Sequence, residues 1–251
     1  MSDPTFGLVL RPTVPLGQQL QLAREAVEDG VEELWLWEDC FLHGGPSSAA
    51  AILASTQHLR VGIGLMPVPL RNPALTAMEI ATLAGLFPGR FLPALGHGVP
   101  GWMAQVGAGV DSPMSLLREH VTAVRDLLHG KTVTTAGRHV SLSGVALEQP
   151  PLVVPPLLIG AHGVRTLALA GEIADGVLLD SHVTPRDVRS ARATVSAAWA
   201  DAERAGSPRV VVYVKAGGPV ALPDTVKRLL REYGDAGADA VVFVPDLAAR
   251  R

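Results

Sequence analysis

Eight short apolar runs recur along the 251 residues, each closed by a turn and most followed by a helical pattern. This rhythm constrains the fold more than any other feature of the chain. The runs are Phe6–Leu10, Glu33–Trp37, Arg60–Met66, Phe91–Leu95, Leu157–Gly160, Gly176–Asp180, Val210–Lys215 and Ala240–Val244. Several are unbroken rather than alternating, as expected of parallel strands covered on both faces. Helix starts are punctuated by Asn72-Pro73, Ser112-Pro113 and Thr184-Pro185, each a cap residue followed by proline at the first helical position. Gly30, Gly130, Gly206 and one of Gly234 or Gly237 stand at helix ends. Three joints share one form, helix, glycine, acidic turn, strand: Glu28–Glu33, Ala170–Asp175 and Ala236–Asp239. Eight strands and interleaved helices in this length predict a single (β/α)8 TIM barrel over residues 1–251, with an open doubly wound sheet as the competitor.

One connection is long. Between Gly96 and Pro156 the pattern predicts a helix over Pro113–His129, then a small hairpin from Thr132–Thr135 and His139–Leu142. This insertion after the fourth strand is expected on the face where barrels bind substrate. The connection Ala216–Asp239 is short, which argues against a large lid there.

Composition narrows the partners. Hydrophobic residues make up 48% of the chain and aromatics only 4%, so the core must be built from Ala, Val and Leu. A formal net charge of −3 supplies no basic stripe, so neither nucleic acid nor an anionic membrane is an expected partner. Cys40 is the one cysteine, which excludes an internal disulfide and fits a reducing, cytoplasmic compartment. The opening MSDPTFGLVLRP does not read as a signal peptide, and no window approaches about 18 uninterrupted apolar residues.

Candidate chemistry gathers at the strand ends. In Pro156–Asp180 the corner Gly160-Ala161-His162-Gly163 joins a strand to a helix, where free N–H groups and the helix dipole can hold an anion. The same corner could merely save space. Gly96-His97-Gly98-Val99-Pro100-Gly101 matches G-x-G-x-x-G, but Pro100 and the residues after it do not continue as a helix opening on the last glycine. No partner acid closes a second strand about 20 residues on, so the dinucleotide reading fails its context. A flat strand end for a planar ring fits better, with His97 either projecting into the pocket or solvated. Asp39 can bond a ring N–H or cap a turn, and Cys40 can titrate or pack. Trp35 and Trp37 read as packing residues on one strand face. Leu65, Met66 and Pro67 open a stretch with three prolines in seven residues, Pro67 to Pro73, an irregular path that presents backbone or steers the chain. The eight histidines show no metal-ligand spacing, so no metal is expected. With few acid–base groups at the strand ends, chemistry falls to a bound organic cofactor.

Three segments together resemble the luciferase-like monooxygenase superfamily, and within it the coenzyme F420-dependent oxidoreductases: LRVGIGLMPVPLRNPALTAMEIATLAGLFPGRFLPALGHG, PPLLIGAHGVRTLALAGEIADGVLLDS and GDAGADAVVFVP. The resemblance runs from Phe6 to Asp246. It implies a barrel holding F420, or alternatively FMN, across its strand ends, a small-molecule substrate and a homodimer. By position it places Asp39 at the ring, Leu65, Met66 and Pro67 at a strand-three bulge often carrying a cis peptide, and Gly96, His97 and Gly98 along the cofactor. Gly160, Ala161, His162 and Gly163 fall at the phosphate. Two departures matter. Asp39 is followed by Cys40 where many F420-using members have Asp-His, and Val99 stands where the sugar-phosphate dehydrogenases carry an acid. That sugar-phosphate activity is therefore not expected, and the proton donor is open, with Cys40 and His97 as candidates. The rival functions are an FMN-dependent monooxygenase and a non-catalytic cofactor-binding protein.

Overall fold

The structure, a computed structural model, describes residues 3–215 and 223–245. Its elements in chain order are β1 (Thr5–Leu10), α1 (Leu16–Glu28), β2 (Glu33–Leu36), α2 (Gly45–Ser55), β3 (Arg60–Pro67), α3 (Pro73–Leu86), β4 (Phe91–Gly96), α4 (Pro100–Gln105) and α5 (Pro113–Leu128). There follow β5 (Val133–Ala136), β6 (Ser141–Val145), β7 (Leu158–Gly160), α6 (Val164–Ile173), β8 (Gly176–Leu179), α7 (Pro185–Asp201), β9 (Arg209–Lys215), α8 (Pro223–Asp235) and β10 (Ala240–Val244). Eight parallel strands close in the order β1-β10-β9-β8-β7-β4-β3-β2. The expected barrel is present, and each apolar run became one of its strands.

Alternation along the strands divides the core into two layers. Val9, Trp35, Leu92, Ala94, Leu158, Leu178, Val211, Tyr213 and Val242 fill the barrel interior. Leu34, Val61, Ile63, Leu95, Ile159, Val177 and Val212 face the helices. Trp35 occupies the centre because Gly62 on the next strand leaves room: a Cβ there would come closer than 3.0 Å to the indole carbons. Beneath it the fully buried Glu33 accepts from Trp35 Nε1 at 3.0 Å and pairs with Arg60 at 3.2 Å and with Arg209. These partners satisfy a charge that burial alone would make costly.

Three expectations are corrected. The β5–β6 hairpin exists, but it lies against the flank of α5, not over the mouth. Glu119 of α5 accepts from the backbone N–H groups of Arg138, His139 and Val140, and Arg138 pairs with Asp111. Pro100 does open a helix, the short α4, one residue before Gly101. Ser112 does not cap α5: its hydroxyl bonds Ser115 Oγ at 2.8 Å, whereas Asn72 and Thr184 cap as expected. In the connection after β9, residues 216–222 lie outside the described residues.

Candidate active site

The C-terminal ends of the strands surround a cavity of about 310 Å³. Trp37, Leu65, Val99, Trp102 and Leu178 give it apolar walls, and Asp39, His97, His162 and Asp180 stand around it. This is the face on which barrels of this kind carry chemistry, because each strand there hands over to a loop free to present side chains.

The β3 side is shaped by an irregularity. The β3–β4 register shifts between Ile63 and Met66, and the Gly64–Leu65 peptide is cis. The shift turns Leu65 inward across the barrel. A Cβ on Gly96 or on Gly160 would come closer than 3.0 Å to Leu65 Cδ2, so both glycines make room for that side chain. Tyr213, reaching across from β9, donates from its hydroxyl to the Gly64 carbonyl at 3.3 Å. Burial pushes the Tyr213 phenol far above its ordinary range, which keeps it a donor.

On the β2 side Asp39 is half-buried. Burial raises its pKa, and the Arg11 guanidinium opposes that rise. Arg11 lies over the Trp37 ring, 5.2 Å from its centroid. Glu38 accepts from Arg71 Nη2 at 2.6 Å and from Gly45 N at 2.9 Å, and Arg71 also reaches Glu79 at 3.1 Å. These bonds tie the end of β2 to the start of α2 and to α3. Burial lowers the pKa of His97, after β4, and a hydrogen bond with the Pro113 backbone opposes that shift.

Of the residues singled out in the sequence, Asp39, Leu65, Pro67, His97, Gly98, Gly160, Ala161 and His162 line this cavity. Four do not. Met66 is fully buried in the outer layer, because the register shift that turns Leu65 inward turns its neighbour outward. Gly96 lies behind Leu65. Cys40 opens instead on a shallow surface depression with Phe41, Leu70 and Leu75. Burial, then the Glu38 and Asp39 carboxylates, push its thiol up, so it is not a ready proton donor or thiolate. Gly163 precedes α6 at the exposed rim, and the Ala161 N–H is committed to Leu178 O at 3.1 Å. Among the described residues, the N–H groups left free at that corner belong to His162, Gly163, Val164 and Arg165.

Sequence reasoning missed Tyr213, Asp180 and Trp102, and read Trp37 only as packing. Two signals were present: Asp180 is a carboxylate at the very end of an apolar strand, and Tyr213 has the inward parity of β9. Trp102 carries no such signal, since α4 itself was not expected. Among the described residues no group of three or more His, Cys, Asp and Glu is placed to hold a metal ion. None of the described helices is long and apolar enough to cross a membrane.

A 5,10-methylenetetrahydromethanopterin reductase of Methanolobus tindarius is 29% identical over 194 residues, covering 77% of this chain and 59% of the relative. An F420-dependent glucose-6-phosphate dehydrogenase of Nakamurella multipartita is 29% identical over 178 residues, covering 65% of this chain and 52% of the relative. The chain thus spans between half and three fifths of the length of these relatives. The solved structure of the coenzyme F420-dependent tetrahydromethanopterin reductase of Methanopyrus kandleri superposes with a TM-score of 0.82 at 20% identity, covering 98% of this chain and 95% of that one. The profile of the luciferase-like monooxygenase family matches residues 4–249, and the chain belongs to that family.

Proposed function

We propose that this chain is an oxidoreductase that binds coenzyme F420 and moves a hydride between the deazaflavin and a small organic substrate. One observation carries the reading: a small, mostly apolar mouth at the strand ends, walled by Trp37, Leu65, Val99, Trp102 and Leu178, with Asp39 among its few polar groups. A flat ring with polar edges fits such walls, with the Asp39 carboxylate placed to meet one edge. The F420-dependent relatives support the choice of ring.

When bound, the deazaflavin supplies the hydride or accepts it. The residues of the chain hold, orient and exclude water. Leu65, braced by Gly96 and Gly160, would support the ring, and Tyr213 fixes the bulge from below. Asp39 would hold the ring at a polar edge, and Trp37 and Trp102 would help exclude water from it. The free N–H groups of His162, Gly163, Val164 and Arg165 would hold the phosphate. We further propose a homodimer. Leu75, Met78 and Leu86 are exposed along α3, and Glu79, the one charged residue of that helix, is already paired with Arg71.

The test is a spectroscopic titration of the purified protein with F420 and, separately, with FMN. Micromolar or tighter binding of F420, with FMN at least tenfold weaker, is the expected outcome. The reverse order favours a flavin-dependent monooxygenase, and binding of neither removes the proposal. Tight F420 binding without turnover over a broad panel of ketones, enones and alcohols would leave a carrier.

A further inference from the structure

The loop that follows β4 is held to the barrel far more weakly than the elements on either side of it. β4 is buried throughout, and α5 buries Leu116, Leu117, Val121, Val124, Leu127 and Leu128. Over residues 98–110 between them, Met103 is the one buried residue, and it belongs to neither layer of the core. Among the described residues the hydrogen bonds of this stretch stay inside it. Met103 N–H donates to Val99 O, Gly107 N–H to Ala104 O, and Ala108 N–H to Met103 O. Pairing with another element resumes at Asp111, which meets Arg138. His97 hydrogen-bonds the Pro113 backbone, so the two ends of the loop are held side by side. Joined ends, a body packed on itself and few ties to its surroundings are the marks of an Ω-loop that opens as a unit.

Gly98 and Gly107 bracket α4, with φ of 69° and 70°. Both stand in the left-handed region that glycine enters without strain, and glycine can leave it as easily. Gly98 also lets α4 come down onto the rim. A Cβ there would stand 2.9 Å from Pro67 Cβ and 3.1 Å from Met103 Sδ, so Met103 rests on Gly98 beside the end of β3. Its neighbour Trp102 reaches the cavity.

We infer that α4 is a hinged lid on the mouth, with Gly98 and Gly107 as hinges, Met103 as the latch and Trp102 as the face turned to a bound ligand. The hinges and the latch stand on the fold alone; that a deazaflavin passes beneath them rests on the reading above. Closed, Trp102 completes the apolar wall and shuts water out of the mouth. Open, it lets a flat ring enter and leave. α4 keeps its own hydrogen bonds as it swings, so opening costs the burial of one methionine and the cover that Trp102 gives. Motions of this kind run in microseconds to milliseconds. The closed cavity of about 310 Å³ also stands at the lower end of the range for ligand pockets. A tricyclic ring leaves little space there for a second reactant until α4 rises.

The test uses the full chain without cofactor, its four tryptophans replaced by fluorotryptophan and assigned by single Trp→Phe variants. The change of each fluorine NMR signal between light and heavy water reads that ring's exposure. Met103→Ala removes the latch and should raise the open population about tenfold or more. Gly98→Ala, whose Cβ crowds Pro67 and Met103, should act in the same direction. The reporter is Trp37, which lines the cavity just after β2 and is not itself altered. Its solvent response should grow in both variants, while Trp35 in the barrel interior and Trp199 on α7 stay as in wild type. No added exposure of Trp37 in either variant overturns the lid. A Met103→Ala chain that fails to fold overturns it too, because Met103 would then belong to the core. In a second arm, stopped-flow mixing with F420 should show Met103→Ala binding and releasing the cofactor severalfold faster than wild type. Equal rates overturn the gating role. A wild type that binds no F420 refutes the parent reading of the mouth instead, and the fluorine signals then decide the lid by themselves.

Discussion

Replacing Gly160 by alanine tests the claim that two glycines exist to seat Leu65. The new Cβ would come closer than 3.0 Å to Leu65 Cδ2, while Leu65 Cγ and Cβ remain at 3.6 and 3.9 Å, ordinary contact distances. The conflict is therefore confined to one methyl at the end of a side chain that borders the cavity. Leu65 must swing toward the mouth, at a cost of about 1–2 kcal/mol for the overpacked contact. Gly160 has an ordinary backbone conformation, so the alanine also lowers unfolded-chain entropy and returns roughly 0.5 kcal/mol. A net loss of about 1 kcal/mol follows, together with weaker binding of F420 because Leu65 now intrudes on the ring's place. Urea unfolding of Gly160→Ala, Leu65→Ala and the double variant forms a thermodynamic cycle. Removing Leu65 should abolish the alanine's penalty, giving a coupling of about 1–2 kcal/mol. Additive effects, within about 0.3 kcal/mol, would show that Leu65 does not occupy the space left by Gly160.

Other outcomes follow from the same structure. Glu33→Ala should lower stability by about 3 kcal/mol in urea unfolding, because the barrel floor would lose the acceptor shared by Trp35, Arg60 and Arg209; a loss below about 1 kcal/mol would contradict the buried network. His120 is fully enclosed, bonded by Nε2 to Thr76 at 3.1 Å, and burial with nearby Arg71 lowers its pKa to about 4. A folded value below the ordinary 6.5 means that the unfolded chain binds the extra proton first. Stability is thus complete above about pH 6.5 and falls by about 3 kcal/mol as pH drops toward 4, a slope that His120→Gln should remove in urea titrations at pH 5 and 7.5. Cys40 should react with a disulfide reagent at pH 8 several-fold more slowly than a free cysteine, and Glu38→Gln should speed it; rapid labelling of the wild type would refute the raised thiol. Light scattering should give a dimer that Met78→Glu with Leu86→Glu dissociates, and a monomeric wild type would refute the α3 interface.

How much was legible in the residues differs between the fold and the site. Strand runs such as Leu157–Gly160 and Gly176–Asp180, with the helix between them, could be read because hydrophobic periodicity and Gly or Pro punctuation act over a few neighbours. The same local grammar placed Asp39, His97 and His162 at strand ends, and all three line the mouth. It failed at Met66, where one shift in the β3–β4 register exchanges inward and outward residues, a slip that a period of two leaves unmarked. It failed at Gly96 too, which stands behind Leu65 and makes room for it and does not line the mouth.

Local pattern thus sufficed for an eight-stranded parallel barrel with its reactive groups gathered at one end, since each βα unit is encoded within about thirty residues. Barrel closure alone brought Tyr213 under Gly64, 149 positions away, and Arg209 onto Glu33, 176 positions away. Those contacts depend on strand order, register and tilt across the ring, quantities that emerge from the packing of all eight strands together.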